Sequence, residues 1–222
     1  MKKAAMGWSG GKDSAYCLGR ARKSEEYDVV ELFTTVSGEF DRVCFHGLSK
    51  ALLERQAGST GIPARTVELP GGYSQQEYAG RMQELYREYR SRGIETVIFA
   101  DIYLEEVREE RQEMLREAGL EGAWPVWGED TGELAQDFVD RGFRAVTVSV
   151  DGSRLDRSFA GREFDREFIE DLPSGVDPCG ENGEFHTFVY DGPVFENALE
   201  IETGEVVEKA VSGGKNYYTE VR

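Results

Sequence analysis

The chain has 222 residues, enough for one large domain or two small ones with a substantial buried core. Its 39% hydrophobic and 11% aromatic content argues against disorder, and no apolar run approaches the length of a membrane span. With 43 acidic against 26 basic residues the net charge is −17, which argues against extensive electrostatic contact with nucleic acid. Cys17, Cys44 and Cys179 are far apart and form neither a CxxC pair nor a zinc spacing. Sparse cysteines and the lack of an N-terminal signal-peptide apolar region make a cytoplasmic protein the expectation.

The apolar run Ala4-Ala5-Met6-Gly7-Trp8 predicts a first strand over 3–8, and a helix is expected over 15–22. Between them stands Ser9-Gly10-Gly11-Lys12-Asp13-Ser14. A glycine-rich turn between strand and helix builds an anion site, because glycines admit close backbone approach and the free N–H groups of the helix start face the ligand. Lys12 adds a cation, Ser9 and Ser14 add hydroxyls, and Asp13 or Ser14 could cap the helix. A similar string, Ser212-Gly213-Gly214-Lys215, lies between two β-like runs with no helix after it. It reads as a hairpin turn without a phosphate role.

Residues 29–36 are rich in β-branched side chains and predict a second strand. Thr34 and Thr35 fall at its C-terminal end, where open α/β sheets hold ligands, and are expected beside a nucleotide base or ribose. His46 precedes a helix over 48–60 and suits either a local hydrogen bond or a functional role. A strand over 64–69 follows, and Ser74-Gln75-Gln76-Glu77 is a capping box for a helix reaching residue 92. The stripe Tyr78, Tyr86, Tyr89 reads as packing. The apolar strand 96–100 ends at Asp101, placed for ribose or metal-water contact or for helix capping. Residues 105–117 read as a charged, solvated helix.

After Gly122 the pattern changes. The proline-broken, aromatic stretch 123–128 suits a domain crossing; a helix over 131–141, a strand over 143–150 and a polar stretch with Arg162 follow. A surface ion pair is the expected role of Arg162. Residues 177–188 pack Asp177, Cys179, Glu181, Glu184, His186 and Thr187 into a loop shaped by Pro178, Gly180, Asn182 and Gly183. Such a density of reactive side chains points to binding or catalysis. The strand 185–190 precedes β-like runs with Thr203-Gly204 expected as a turn.

SGGKDS is not a Walker A loop; it resembles the PP-loop of the N-type ATP pyrophosphatases, which cleave ATP to AMP and pyrophosphate. Together with GENGEFHTFVYDGP at 180–193, and Phe99-Ala100-Asp101-Ile102 and Trp127-Gly128, it resembles the diphthine–ammonia ligase family over nearly the whole chain. Asn182 and His186 place it closer to the bacterial branch, where the acceptor is expected to differ from diphthine.

The resemblance implies an adenine-nucleotide α-hydrolase-like α/β unit over 1–122, a parallel sheet with flanking helices. It implies a smaller α+β unit over 123–222. ATP and Mg²⁺ would be used. ATP would adenylate a carboxylate, in the family the diphthine side chain of elongation factor 2, and ammonia would displace AMP. Nucleotide contacts would come from Ser9, Gly10, Gly11, Lys12, Asp13, Ser14, Thr34, Thr35 and Asp101, with Asp13 and Asp101 toward the metal. Catalytic roles fall to Lys12 and to Glu181, Glu184 and His186, unranked among themselves. The competing readings are a PP-loop RNA-modifying enzyme, with Cys179 as its thiol, and an adenine-nucleotide sensor without turnover. Neither membrane nor extensive nucleic-acid partners are expected, and a homodimer is an open option.

Overall fold

In β1 (Lys2–Gly7), Ala4 and Met6 are buried in one apolar cluster and Ala5 in another, all fully out of solvent. This alternation marks a strand covered on both faces. The computed structural model describes residues 1–37, 42–43, 48–211 and 214–222, and of Ser37, Arg42 and Val43 the backbone alone. His46, Cys44, Ser212 and Gly213 lie outside the described residues.

β2 (Tyr27–Ser37) runs parallel to β1 on one side, and the two-residue β3 (Arg42–Val43) pairs antiparallel with the end of β2. β4 (Ala64–Leu69) is parallel to β2; β5 (Thr96–Ile98) is parallel to β1 on its other side, followed by β6 (Glu121–Ala123). The parallel strands thus lie in the order β4-β2-β1-β5-β6. The chain builds outward from β1 to β4 and then returns to β5. The connections after β1 and β5 therefore diverge, and a crevice opens at the C-terminal ends of these strands.

The helices α1 (Lys12–Ser24), α2 (Lys50–Gly58), α3 (Gln75–Ser91) and α4 (Glu105–Ala118) alternate with the strands. The α3 capping box is formed: Ser74 Oγ accepts from Glu77 N at 3.2 Å, and Glu77 Oε2 accepts from Ser74 N at 2.8 Å. α3 and α4 cover the sheet face of Ala5, Phe33 and Val97 with Met82, Leu85, Tyr86, Tyr89 and Leu115.

α5 (Thr131–Asp140), β7 (Arg144–Asp151), α6 (Arg166–Asp171), β8 (Phe185–Asp191), β9 (Thr203–Val211) and β10 (Gly214–Val221) complete the chain. The last four strands form an antiparallel sheet in the order β8-β7-β10-β9. An aromatic cluster binds this part together: Phe138 stacks on Phe143 at 4.8 Å between centroids, and Phe168 meets Phe164 and Phe185 at 5.2 Å each. The apolar cluster on the second face of the large sheet is continuous from Ala4 through Phe185 to Val221. Among the described residues no helix is long and apolar enough to cross a membrane.

Several local expectations need correction. β6 and α6 are absent from the sequence reading. β6 has three residues and exists by pairing with the edge of β5; α6 is a single short helix capped by Asp165 Oδ1, which accepts from Phe168 N at 2.8 Å. Thr203 and Gly204 do not turn; Thr203 pairs with Val221 and opens β9. Trp124 lies in the stretch read as a crossing, between β6 and α5, and also stacks on Phe99 at 5.6 Å. Arg162 does form an ion pair, with Asp171 at 2.9 Å.

Candidate active site

The loop after β1 is held from three sides. Gly10 has φ +79°, a conformation L side chains rarely adopt, and a Cβ there would lie 2.8 Å from both Gln56 Oε1 and Leu53 Cδ1. Its carbonyl accepts from Gln56 Nε2 at 2.8 Å and from Val189 N at 3.0 Å. Gln56 is fixed in turn by Trp8 Nε1, which donates to its Oε1 at 2.9 Å. Gly11 is the N-cap of α1 and has no side-chain cap of its own, so the expected capping by Asp13 or Ser14 is not realised. The helix begins at Lys12, one turn earlier than expected, which puts both residues inside its first turn. Instead Thr187 of β8 reaches across the chain, and its Oγ1 accepts from Lys12 N at 3.0 Å. Ser14 Oγ donates to Gly11 O at 2.9 Å, and Ser9 Oγ accepts from Gly11 N at 3.2 Å.

The second loop is organised by its own carboxylates. Asp177 Oδ1 accepts from Cys179 N at 2.8 Å and Glu181 N at 3.2 Å, while its Oδ2 accepts from Thr131 Oγ1 at 2.8 Å. Glu184 is 1% exposed and turns inward. Its Oε1 accepts from Asp177 N at 3.2 Å and Asn182 Nδ2 at 3.1 Å, and its Oε2 from Asn182 N at 3.0 Å. Asn182 Nδ2 also donates to Tyr103 Oη at 2.9 Å. Glu181 points the other way, toward the crevice at the strand ends, and its Oε1 accepts from Ile102 N at 2.7 Å. Burial pushes its carboxyl up to about 7, against the opposing pull of the Ile102 N–H.

The two loops, whose contacts span 167 and 175 residues of chain, wall one cavity of about 550 Å³ at the C-terminal ends of β1, β2 and β5. Ser9, Gly11, Lys12, Asp13 and Ser14 line it from the first loop, Thr34 and Thr35 from β2, Asp101 from after β5, and Glu181, His186 and Thr187 from the C-terminal part. Gly10 and Glu184 are not on its wall; the first backs the loop and the second shapes its partner.

Lys12 is the junction. Its ammonium donates to both Asp13 carboxylate oxygens at 2.7 and 2.9 Å and to the Cys179 carbonyl, and it lies 5.6 Å from the Phe185 ring centroid. Burial is the largest influence and opposes the charge, but Asp13, by its charge and its hydrogen bond, together with Cys179 and Glu181 outweighs it and holds the ammonium above its ordinary range. Cys179 is buried, its Sγ donates to Thr131 O at 3.3 Å, and burial pushes its thiol well up; the same holds for buried Cys17.

Asp101 does not cap α4, whose N-cap is Leu104 without a side-chain bond. Its Oδ2 accepts from Arg111 Nη1 at 2.6 Å and from Trp124 Nε1 at 3.1 Å. This corrects the reading of α4 as wholly solvated: Leu104, Val107, Arg111 and Met114 turn one face to the cavity. That i, i+3, i+7, i+10 spacing is visible in the sequence, an apolar stripe broken by one arginine. Tyr78 packs against the cluster of Tyr86 and Tyr89 as expected, and it also lines the cavity and stacks on Tyr73 at 6.3 Å.

Among the described residues no group of three or more His, Cys, Asp or Glu side chains is arranged to hold a metal ion by itself. Asp13 and Asp101 nonetheless offer hard oxygens to the same cavity, which suits a magnesium ion whose remaining ligands are phosphates and water.

Comparison with known proteins follows the two halves of this architecture. A curated diphthine–ammonia ligase from Danio rerio is 23% identical over 223 residues, covering 90% of this chain and 86% of that protein. One from Schizosaccharomyces pombe is 29% identical over 115 residues, half of this chain but 19% of the much longer relative. Among solved structures, the U34-tRNA thiolase NcsA from Methanococcus maripaludis, with its [4Fe-4S] cluster, aligns with TM-score 0.40 at 14% identity over 63% of this chain and 57% of that one. Residues 1–122 match the family model of the diphthamide synthase N-terminal domain and residues 130–219 that of its C-terminal domain. The chain belongs to the diphthamide synthase family.

Proposed function

We propose that the protein is an ATP-dependent, AMP-forming ligase that joins ammonia to a carboxylate. The observation that carries this reading is the closure of the two loops on one cavity, with Lys12 bonded to both. The names of the curated relatives, diphthine–ammonia ligases, support it and put diphthine first among the acceptors to test.

In this reading a carboxylate oxygen of the acceptor attacks the α-phosphorus of ATP. The bond to the bridging oxygen breaks, and pyrophosphate leaves with the electron pair. The ammonia lone pair then adds to the acyl carbon, the bond to AMP breaks, and one N–H proton is removed. The N–H groups of the loop after β1, with Ser9, Ser14 and Lys12, stabilise the charge that grows on pyrophosphate. Thr34 and Thr35 meet the base or ribose. Asp13 and Asp101 would hold a magnesium ion, which when bound neutralises phosphate charge. Glu181 takes the proton, since a carboxyl near 7 is matched to accepting one at neutral pH. His186, which lines the same cavity, orients the nucleophile, and Glu184 holds the loop that carries Glu181. Residues 1–122 form the nucleotide unit and 123–222 the unit that completes the site.

A thiolase reading is weakened by Cys179, a buried, protonated thiol bonded to a backbone carbonyl. The deciding experiment is product identification from ATP with ammonium and a carboxylate panel that includes diphthine-bearing elongation factor 2. AMP and pyrophosphate formed in proportion to amide are expected. ADP and phosphate would overturn the mechanism, and tight ATP binding without any product would replace it by a sensor.

A further inference from the structure

A reaction that brings a carboxylate to a triphosphate joins two anions, and the cavity is itself acidic. Among the described residues its wall carries Asp13, Asp101, Glu110 and Glu181 against two cationic side chains, Lys12 and Arg111. Lys12 already donates to Asp13 in its own loop and to the Cys179 carbonyl of the facing loop. A second cation is therefore needed where the acceptor enters.

We infer that Arg111 binds the acceptor carboxylate, exchanging its bond to Asp101 for the substrate; the assignment rests on the ligase reading. Three observations carry it. First, Arg111 stands on the cavity-facing stripe of α4, between Val107 and Met114, on the α4 wall rather than on the loop after β1 that holds Lys12. Second, its guanidinium lies 4.3 Å from the Phe99 ring centroid, which fixes the plane of the fork while its edges stay available for hydrogen bonds. Third, among the described residues its one hydrogen bond is the single contact from Nη1 to Asp101 at 2.6 Å. Arg65, away from the cavity, shows what a purely structural arginine does here: it grips Glu88 with two nitrogens, at 2.5 and 2.7 Å. Arg111 retains the donors for a bidentate carboxylate contact.

The exchange also has a consequence for Asp101. Released by Arg111, it keeps the Trp124 Nε1 bond at 3.1 Å and becomes available on the nucleotide side.

Arg111→Ala, Arg111→Lys and wild type would be compared in acceptor-dependent AMP and pyrophosphate release, with ATP binding measured separately by calorimetry. The expected result is an acceptor KM raised roughly 10- to 100-fold in Arg111→Ala, the effect of losing a charge-assisted contact, and an intermediate value in Arg111→Lys. ATP affinity should stay within about 3-fold, well below the effect of losing such a contact. An ATP affinity that falls as far as the acceptor's would make Arg111 a phosphate clamp. An unchanged acceptor KM with a lowered melting temperature would make it structural. Either result overturns the inference. Should wild type release no AMP with any carboxylate, the ligase reading fails, and titration with glutarate still judges Arg111. Saturable quenching of tryptophan fluorescence by glutarate, absent with neutral glutaramide and lost in Arg111→Ala, supports carboxylate binding; no saturation in wild type refutes it.

Discussion

The two loops that face each other across the cavity are built by different rules. The loop after β1 gets its shape from its surroundings: a parallel strand behind it, a helix ahead, and Gln56, Val189 and Thr187 holding its backbone. The 177–188 loop makes its own frame, with Asp177 and Glu184 accepting from backbone N–H groups within the same dozen residues. The first presents backbone amides and one cation. The second presents a carboxyl and an imidazole. A rigid anion cradle needs no titratable group beyond Lys12, whereas proton transfer needs one whose environment can be tuned, and a loop that buries its own carboxylates supplies that environment.

The sharpest break in this comparison is Lys12→Met. It removes the charge of the first loop, which lies 5.6 Å from the Phe185 ring centroid, while keeping a side chain of similar length, and AMP-forming turnover should fall roughly 100- to 1,000-fold. Amide formation that continues at the wild-type rate would remove Lys12 from the chemistry.

Next in size is Glu181→Gln, with turnover reduced roughly 100-fold if the second loop supplies the base. In wild type the rate should rise with pH through about 7 as the carboxyl ionises, and this limb should vanish in the variant. Stability moves the opposite way. The folded carboxyl titrates higher than the unfolded one, so the native state holds the proton more tightly. Its stabilising contribution is full below the unfolded pKa and is lost as pH rises through about 7. Melting curves from pH 4 to 8 should therefore show Glu181→Gln gaining on wild type with rising pH; a constant gap would mean that the site is not desolvated.

Glu184→Gln tests whether the second loop is self-supporting. One of its acceptor oxygens becomes an N–H donor facing donors at Asp177 and Asn182, and about 1–3 kcal/mol of stability should be lost. For a chain of this size that lowers the melting temperature by about 2–4 °C per kcal/mol. The KM for ATP should stay unchanged if the two loops are independent.

The smallest contrast lies between two glycines. Gly183→Ala meets nothing within 4 Å and suffers only its positive φ of 85°, about 1–2 kcal/mol. Gly10→Ala carries the same backbone strain and also drives a methyl into Gln56 and Leu53, so it should be the less stable of the two. Equal losses would mean that the first loop is no more tightly held than the second.

Much of this was legible in the chain itself. The alternation of apolar strands with capped amphipathic helices determined the parallel sheet, because periodicity and caps are local properties. The string Ser9 to Ser14 announced its loop for the same reason, and the density of Asp177, Glu181, Glu184 and His186 announced the other. Side-chain direction was not legible. Glu181 and Glu184 are three residues apart, but one faces the cavity and the other is consumed by the loop, a choice made by how Gly180 and Gly183 turn the backbone at positive φ. Arg111 sits in a charged helix whose sequence looks solvated, and only the packing of α4 beside the crevice brings it to Asp101. The cap on the first helix comes from Thr187, 175 residues away. Sequence settled what each segment prefers on its own; tertiary packing decided which groups share a space, because contacts between distant segments leave no period in either one.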